Sequence, residues 1–284
     1  MKQYIDRVFY KSSEKMSELP DNSVQVIITS PPYFNIKDYS KNGYQDCQHS
    51  KRKINDIGAY SNFDDYIYSL VKVWKECERV LKPNGKLCIN VPLMPILKSQ
   101  MCTHYNRDIF DLQSHIQQSI LKNTNLFLLD LFIWNRTNSS KKLMFGSYPY
   151  PRNFYAQNSC EFIAVFVKAG NPENNITQDI KDASQLTKQE WVEYTKQIWN
   201  IPIPGKNDLA FGIHSAIMPE EIARRLIKLY SFVGELILDP FAGSGTTLKV
   251  AKENKRHFVG YELYEHYKNI INKKLGIGND LFSE

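Results

Sequence analysis

The sequence predicts an α/β protein built on a doubly wound, mostly parallel sheet, with polar segments inserted between its elements. Three observations carry this reading. Apolar β-branched runs alternate with amphipathic helical stretches, a strand–helix–turn–strand unit lies in the N-terminal half, and a glycine-rich strand-to-helix turn lies near the end.

The first strand is "SVQVIITS" (23–30), where Val24, Val26, Ile27 and Ile28 suit a strand covered on both faces. It stops on Pro31 and Pro32, which cannot donate to a ladder, and Pro32 also pushes Pro31 out of the helical region. The chain must leave the sheet extended. Tyr33 and Phe34 then stand beyond a strand's carboxyl end, the edge where open α/β sheets bind ligands. Taken alone, the stretch reads equally well as a turn carrying a packed aromatic.

A polar insertion (37–62) follows, and then the helix "FDDYIYSLVKVWKECERVL" (63–81). Tyr66, Leu70, Val73, Trp74, Cys77 and Leu81 recur there at three- and four-residue steps, and "KPNG" (82–85) stops it. The strand "GKLCINVP" (85–92) completes the unit, and this order implies parallel pairing. Beyond it, "DIFDLQSHIQQSIL" (108–121) reads as a helix, and "LFLLDLFIWNR" (126–136) and "EFIAVFVKAG" (161–170) as strands. Residues 170–208 are polar, bounded by Pro and Gly, and poor in core formers; they read as an inserted subdomain or long loop with a short helix around Trp191. The pattern then resumes with a helix (219–231), a strand (236–240), a helix from Thr246, a strand (257–263) and a terminal helix. There is no internal repeat and no low-complexity tract.

The bulk numbers limit the function classes. A chain of 284 residues with 42% hydrophobic content can bury a sizeable core. Its 36 Lys and Arg against 30 Asp and Glu leave +6, which suits a polyanionic partner without demonstrating one. The N-terminus lacks the apolar core of a signal peptide. The most apolar run, "LFLLDLFIW" (126–134), is nine residues long and interrupted by Asp130, too short for a membrane span. The five cysteines form no CxxC pair and read as reduced thiols of a cytoplasmic protein. Cys47 with His49, and Cys102 with His104, lack the second ligand pair that a metal site needs.

The stretch "LILDPFAGSGTTLKVAKENKRHFVGYEL" (236–263) is the most informative. An apolar strand ends at Asp239, a loop carries Gly243 and Gly245, and Thr246 can start a helix whose free amides face a ligand. Gly243-Ser244-Gly245 supplies the first two positions of GxGxxG, but Leu248 takes the third. No Gly-Lys-Ser/Thr follows, so this is not a Walker A loop. Glu262 ends the next strand, where a carboxylate can accept both hydroxyls of a ribose. Asp239 at the loop's mouth would welcome a cationic amino group. The loop therefore favours a nucleoside without requiring a pyrophosphate.

"TSPPY" (29–33) together with "DPFAGSGTT" (239–247) resembles the S-adenosylmethionine-dependent amino-methyltransferases of DNA, in the permuted β-class order where the catalytic motif precedes the cofactor motif. The likeness covers most of the chain, including "LPDNSVQVIITSPPY", "RVLKPNGKLCINV", "LFIWNR", "EFIAVFVK" and "HSAIMPEEIARRLI". The resemblance implies the Rossmann-like methyltransferase fold, formed as one domain from both ends of the chain: a catalytic half (1–140, insertion 37–62), a strand with a candidate target-recognition region (141–208) and a cofactor half (209–284). It implies catalytic roles for Ser30, Pro31, Pro32 and Tyr33. It implies S-adenosylmethionine held by Asp239, Pro240, Phe241, Ala242, Gly243, Ser244, Gly245, Thr246, Thr247, Glu262 and Leu263. A serine before Pro-Pro-Tyr is similar to the cytosine-N4 enzymes, and adenine-N6 enzymes more often carry Asp or Asn there. One departure stands out: where family members often place an acidic residue near the cofactor's adenine, this chain reads "VFYKSSEKM", so Ser12 or Ser13 would serve.

The expectation is therefore sequence-specific methylation of double-stranded DNA at the N4 of a flipped cytosine, in a restriction–modification system with a cognate endonuclease. Adenine-N6 methylation is the alternative, and a non-catalytic cofactor-binding protein is weaker because "SPPY" is intact. No Pro-Cys dipeptide occurs, which disfavours covalent cytosine-C5 chemistry. "KKLMFGSYPYPRNFYAQN" (141–158) mixes Lys141, Lys142 and Arg152 with aromatics such as Tyr150 and Tyr155, a composition suited to phosphates and unstacked bases. Lys51, Arg52 and Lys53 are candidate phosphate contacts, residues 170–208 a candidate base reader, and His214 a helix-start cap or packing residue.

Overall fold

In the computed structural model the chain is described for residues 3–34, 56–60, 62–96, 108–139, 147–152, 154, 156–173, 175–214 and 216–277. In chain order come β1 (Arg7–Phe9), β2 (Val24–Thr29), α1 (Phe63–Val80), β3 (Leu81–Pro92), β4 (Met94–Ile96), β5 (Asp108–Phe110), α2 (Leu112–Asn123), β6 (Leu126–Arg136) and β7 (Cys160–Lys168). Then follow α3 (Gln178–Ala183), α4 (Lys188–Tyr194), β8 (Ile198–Ile201), α5 (Glu220–Tyr230), β9 (Leu236–Asp239), α6 (Thr246–Glu253), β10 (His257–Tyr261) and α7 (Lys268–Leu275).

Eight strands form one sheet in the order β1-β10-β9-β2-β3-β7-β6-β8, and β4 and β5 make a separate two-stranded sheet. Every pair in the large sheet is parallel except the two that β7 makes with β3 and β6. The sheet order folds both ends of the chain together, because β2 from the N-terminal half pairs with β9 from the C-terminal half.

Alternation along the central strands builds two cores. Val24 and Ile27 of β2, with Leu87 and Ile89 of β3, join the helices α1 and α2 on one face. Val26, Ile28 and Cys88 join α5, α6 and α7 on the other. Each such side chain contributes about 1.5–3 kcal/mol on leaving water. The sheet is covered on both faces, as the β-branched runs predict. Helix α1 starts where Asn62 caps the Asp64 amide at 2.7 Å, and it buries Tyr66, Leu70, Val73, Trp74 and Cys77.

Three expectations change. "KPNG" does not separate the helix from the strand: α1 ends at Val80, and β3 begins at Leu81, absorbing the turn residues as a register shift with Asn84 at φ +62°. Asp108–Phe110 is strand rather than helix, because it pairs with Met94–Ile96, and α2 starts only after the cap Asp111. Residues 170–208 do have a core role. β8 pairs parallel with β6 at the sheet's edge, and Trp199 is fully buried, stacked on Phe132 at 4.5 Å with the Arg225 guanidinium 5.3 Å from its ring.

Candidate active site and cofactor cavity

The carboxyl ends of β1, β2, β9 and β10 open onto one cavity, lined by residues from both halves of the chain. Both sequence motifs reach it, although some two hundred residues separate them.

The first motif enters from β2. Thr29, the last strand residue, is buried, and its hydroxyl donates to Asp239 Oδ1 at 2.8 Å, which ties the ends of β2 and β9 together. Ser30 follows at the cavity wall. Its hydroxyl donates to the Asn90 carbonyl near the end of β3 (3.0 Å), and Tyr33 Oη lies 3.0 Å from Ser30 Oγ. One hydroxyl has one proton. With that proton on Asn90, Tyr33 must be the donor in the second contact, and Ser30 Oγ is left as an acceptor. Tyr33 is 6% exposed and borders the cavity, as does Pro32, whose carbonyl accepts the Tyr66 hydroxyl at 3.0 Å. Pro31 is buried and does not border it.

The second motif forms the opposite wall. Gly243 and Gly245 adopt φ +50° and +79°, and Gly245 caps α6 without a side-chain bond, so the first helical amides keep no side-chain partner there. A Cβ on Gly243 would sit 2.7 Å from His214 Nε2. Glycine is thus required at this position by conformation and by contact. Glu262 braces the loop: Oε2 accepts the Gly243 amide and Oε1 the Tyr264 amide, both at 2.8 Å. Beneath the loop the buried Lys274 ammonium donates to Ser244 Oγ and Thr246 Oγ1 and lies 3.3 Å from Asp208. Burial pulls the Lys274 ammonium below its ordinary value, and the Asp208 charge opposes this. Pro240, Phe241, Ala242, Thr247 and Leu263 also border the cavity, whereas Gly245 does not.

The carboxylates of this wall are costly to ionise. Burial raises Glu262 to about 8 even though two amides hold it, and the charges of Asp239 and Asp56 add to the rise. Burial likewise lifts Asp239 to about 6 against the Thr29 hydroxyl and the Phe241 amide. Ser13 completes the picture: it borders the cavity, is 2% exposed, and its hydroxyl has no partner among the described residues. Buried polar atoms are rarely left so without a ligand or water to meet them. Glycines that admit a close approach, a braced carboxylate and an orphaned hydroxyl together fit a nucleoside that carries positive charge.

Sequence reasoning reached most of these residues and missed several. His214 does cap the local turn, its Nδ1 accepting the Ala216 amide at 3.2 Å, but it also borders the cavity. Tyr261, Tyr264 and Tyr267 surround Glu262 at the carboxyl end of β10, a position that could have flagged them. Asp56 had no such signal: it comes from the polar insertion and reaches the cavity through its bond to the Tyr264 hydroxyl (2.7 Å). Among the candidate DNA contacts, Tyr150 is 75% exposed, Tyr148 and Phe154 are similarly open, and Arg152 is exposed with φ +79°. Lys51, Arg52, Lys53, Lys141, Lys142 and Tyr155 lie outside the described residues. Among the described residues no His, Cys, Asp and Glu cluster could hold a metal ion, and no helix is long and apolar enough to cross a membrane.

The fold recurs in solved structures. A proposed DNA modification methylase of Thermus thermophilus, solved in complex with S-adenosyl-L-methionine, is 26% identical, with a TM-score of 0.72 over 95% of this chain and 93% of that one. The cytosine-N4-specific PvuII DNA methyltransferase shares the fold at 18% identity, with a TM-score of 0.63 over 95% and 93%. Among curated proteins, the Type II methyltransferase M.MjaI of Methanocaldococcus jannaschii is 30% identical over 95% of this chain and 91% of its own length. M.MthZI of Methanothermobacter thermautotrophicus, also a Type II methyltransferase, is 26% identical over 97% and 79%. Residues 24–273 match the N6/N4 DNA methylase family from β2 to the last helix, taking in both walls of the cavity, and with M.MjaI alike along nearly its whole length the chain belongs to that family.

Proposed function

We propose that this protein is the modification methyltransferase of a Type II restriction–modification system, acting in the cytoplasm on double-stranded DNA at the N4 of a cytosine turned out of the helix. The observation that carries the cytosine reading is Ser30, a hydroxyl held as an acceptor at the cavity wall, at the position where adenine enzymes more often carry Asp or Asn. S-adenosylmethionine, when bound, supplies an electrophilic methyl on a positively charged sulfur. The loop from Asp239 to Thr247 would hold it, with Glu262 and Leu263 at the ribose side and Ser13 toward the base.

The chain's own work is to position the amine. A cytosine amine is a poor nucleophile because its lone pair is delocalised into the ring. Accepting a hydrogen on Ser30 Oγ, which borders the cavity where Pro31 does not, favours a tetrahedral nitrogen with an available lone pair. Two prolines without amide donors keep that frame rigid, and Tyr33, fixed through its hydroxyl, offers a ring against the base. Extrusion of the base costs a few kcal/mol, which contacts to the flipped base and the surrounding duplex must offset. The open aromatics Tyr148, Tyr150 and Phe154, beside Arg152, suit unstacked bases and phosphates. Lys51, Arg52, Lys53, Lys141, Lys142 and Tyr155 extend that proposed contact set. A cognate endonuclease cutting the same site is the expected functional partner, given the Type II relatives.

Tritiated cofactor and duplex DNA, followed by nucleoside separation, test the reading. Label in N4-methylcytosine supports it, label in N6-methyladenine moves the product to the alternative, and no label on DNA overturns it.

A further inference from the structure

Among the described residues, three carboxylates share the cavity wall, each more than nine-tenths buried: Asp56 is 5%, Asp239 4% and Glu262 8% exposed. Among the described residues the hydrogen bonds they receive come from neutral groups. Asp239 takes the Thr29 hydroxyl and Phe241 amide, Glu262 the Gly243 and Tyr264 amides, and Asp56 the Gly58 amide (3.0 Å) and Tyr264 hydroxyl. Among the described residues, two groups bordering the cavity can carry positive charge. Lys11 is paired with Glu18 at 2.5 Å, its side chain 39% exposed, and His214 uses Nδ1 to accept a backbone amide. The other titratable neighbours among the described residues are the phenols of Tyr10, Tyr33, Tyr261, Tyr264 and Tyr267, the Cys77 thiol facing Asp239, and Glu265 beside Tyr10. Burying several carboxylates without a cation is costly, and the cost falls when a cation arrives. The orphaned Ser13 hydroxyl in the same wall points independently to a ligand here.

We propose that Asp56, together with Asp239 and Glu262, makes the cavity select a ligand of net positive charge, so that it holds the sulfonium cofactor in preference to the neutral thioether left after methyl transfer. This rests on the cofactor reading above and adds to it a residue and a selectivity. S-adenosylmethionine carries a net +1, and its demethylated product carries none, because the charge on sulfur leaves with the methyl. Selection by charge lets product depart without any change in shape. Asp56 belongs to the polar segment before α1, so the insertion supplies part of the cofactor's electrostatic environment.

The pH dependence follows with a definite sign. Burial lifts Glu262 to about 8 and Asp239 to about 6, so the ligand-free cavity holds protons near neutrality. A bound cation favours the ionised carboxylates, so cofactor affinity rises as pH rises toward about 8 and levels off above it. Product affinity changes less.

Calorimetry with S-adenosylmethionine and S-adenosylhomocysteine between pH 6 and pH 9 tests this, on the wild type, Asp56→Asn and Tyr264→Phe. The expected preference for the cofactor widens with pH and shrinks roughly tenfold in Asp56→Asn, the order of effect for one buried charge at close range. Tyr264→Phe removes the hydrogen bond but leaves the charge, and keeps the wild-type ratio. A ratio unmoved by both pH and Asp56→Asn overturns the inference. Equal narrowing in both variants overturns it as well, because Asp56 would then only hold Tyr264. If Asp56→Asn does not fold, a wild-type ratio that is flat across the pH range is enough to overturn it. Failure of both ligands to bind overturns the cofactor reading itself, a result distinct from binding without preference.

Discussion

At the scale of single residues, Ser30 and Glu262 carry opposite kinds of burden. Ser30 touches few groups, and its loss leaves the Asn90 carbonyl and the Tyr33 hydroxyl each short of one partner without altering the chain's path. Ser30→Ala should therefore lower kcat by about 10²-fold or more, the usual effect of removing one preorganised polar contact, with cofactor affinity nearly unchanged. Single-turnover methylation beside calorimetric cofactor binding checks this, and a parental rate would reduce the motif to a turn. Glu262 is braced on two backbone amides, so removing its carboxylate touches the shape of the loop as well as the ligand. Glu262→Ala should weaken cofactor binding by roughly 1.5–3 kcal/mol, and it should also lower Tm, since two buried amides lose their acceptor. Calorimetry and thermal melting together read both effects. An unchanged affinity would remove Glu262 from the site.

At the scale of elements, the motif-bearing ones were legible because their chemistry is local. β2 is apolar and β-branched up to its prolines, and β9 leads into glycines whose positive φ only they adopt cheaply. β8 was hidden. Ile198–Ile201 is four residues in a polar neighbourhood, and nothing local shows that Trp199 has a slot between Phe132 and Arg225 brought from elsewhere in the chain. β4 and β5 escaped for the same reason: Asp108–Phe110 has helical neighbours and becomes strand only because Met94–Ile96 pairs with it. Trp199→Ala should destabilise the protein by about 3–5 kcal/mol, the range for emptying a fully buried aromatic site. Urea denaturation would show it as a lower midpoint with little change in slope. A loss below about 1 kcal/mol would return residues 170–208 to the status of a peripheral insertion.

At the scale of the whole molecule, the sequence order made the fold class readable, and the pairing of β2 with β9 explains how the Ser-Pro-Pro-Tyr turn near residue 30 meets the glycine loop near residue 243. What the sequence could not show is the shared electrostatics of the cavity, because Asp56 lies far along the chain from the stretch 236–263 that carries Asp239 and Glu262. That sharing contributes to how the stability of the chain depends on pH. Glu262 and Asp239 are raised from 4.5 and 3.8 to about 8 and about 6, so between those limits the native state holds more protons than the unfolded one. Stability of the ligand-free protein should thus fall as pH rises from about 4.5 to about 8. Glu76, held below its ordinary value by Arg79, acts in the opposite direction and only in acid: its contribution is lost as pH falls below about 4.5. Ligand-free Tm should peak near pH 5, and saturating cofactor should move the peak upward. A ligand-free Tm that climbs from pH 5 to pH 8 would contradict this placement of the carboxylates.

The central claim is that a neutral hydroxyl at the end of β2 directs methyl transfer to the amine of cytosine. Mass analysis of nucleosides from duplex DNA treated with the protein and isotopically labelled S-adenosylmethionine tests it most directly, with Ser30→Ala run in parallel. The account predicts N4-methylcytosine as the labelled product, in amounts that collapse in the variant. Label in N6-methyladenine, or N4-methylcytosine formed equally well without the Ser30 hydroxyl, would contradict it.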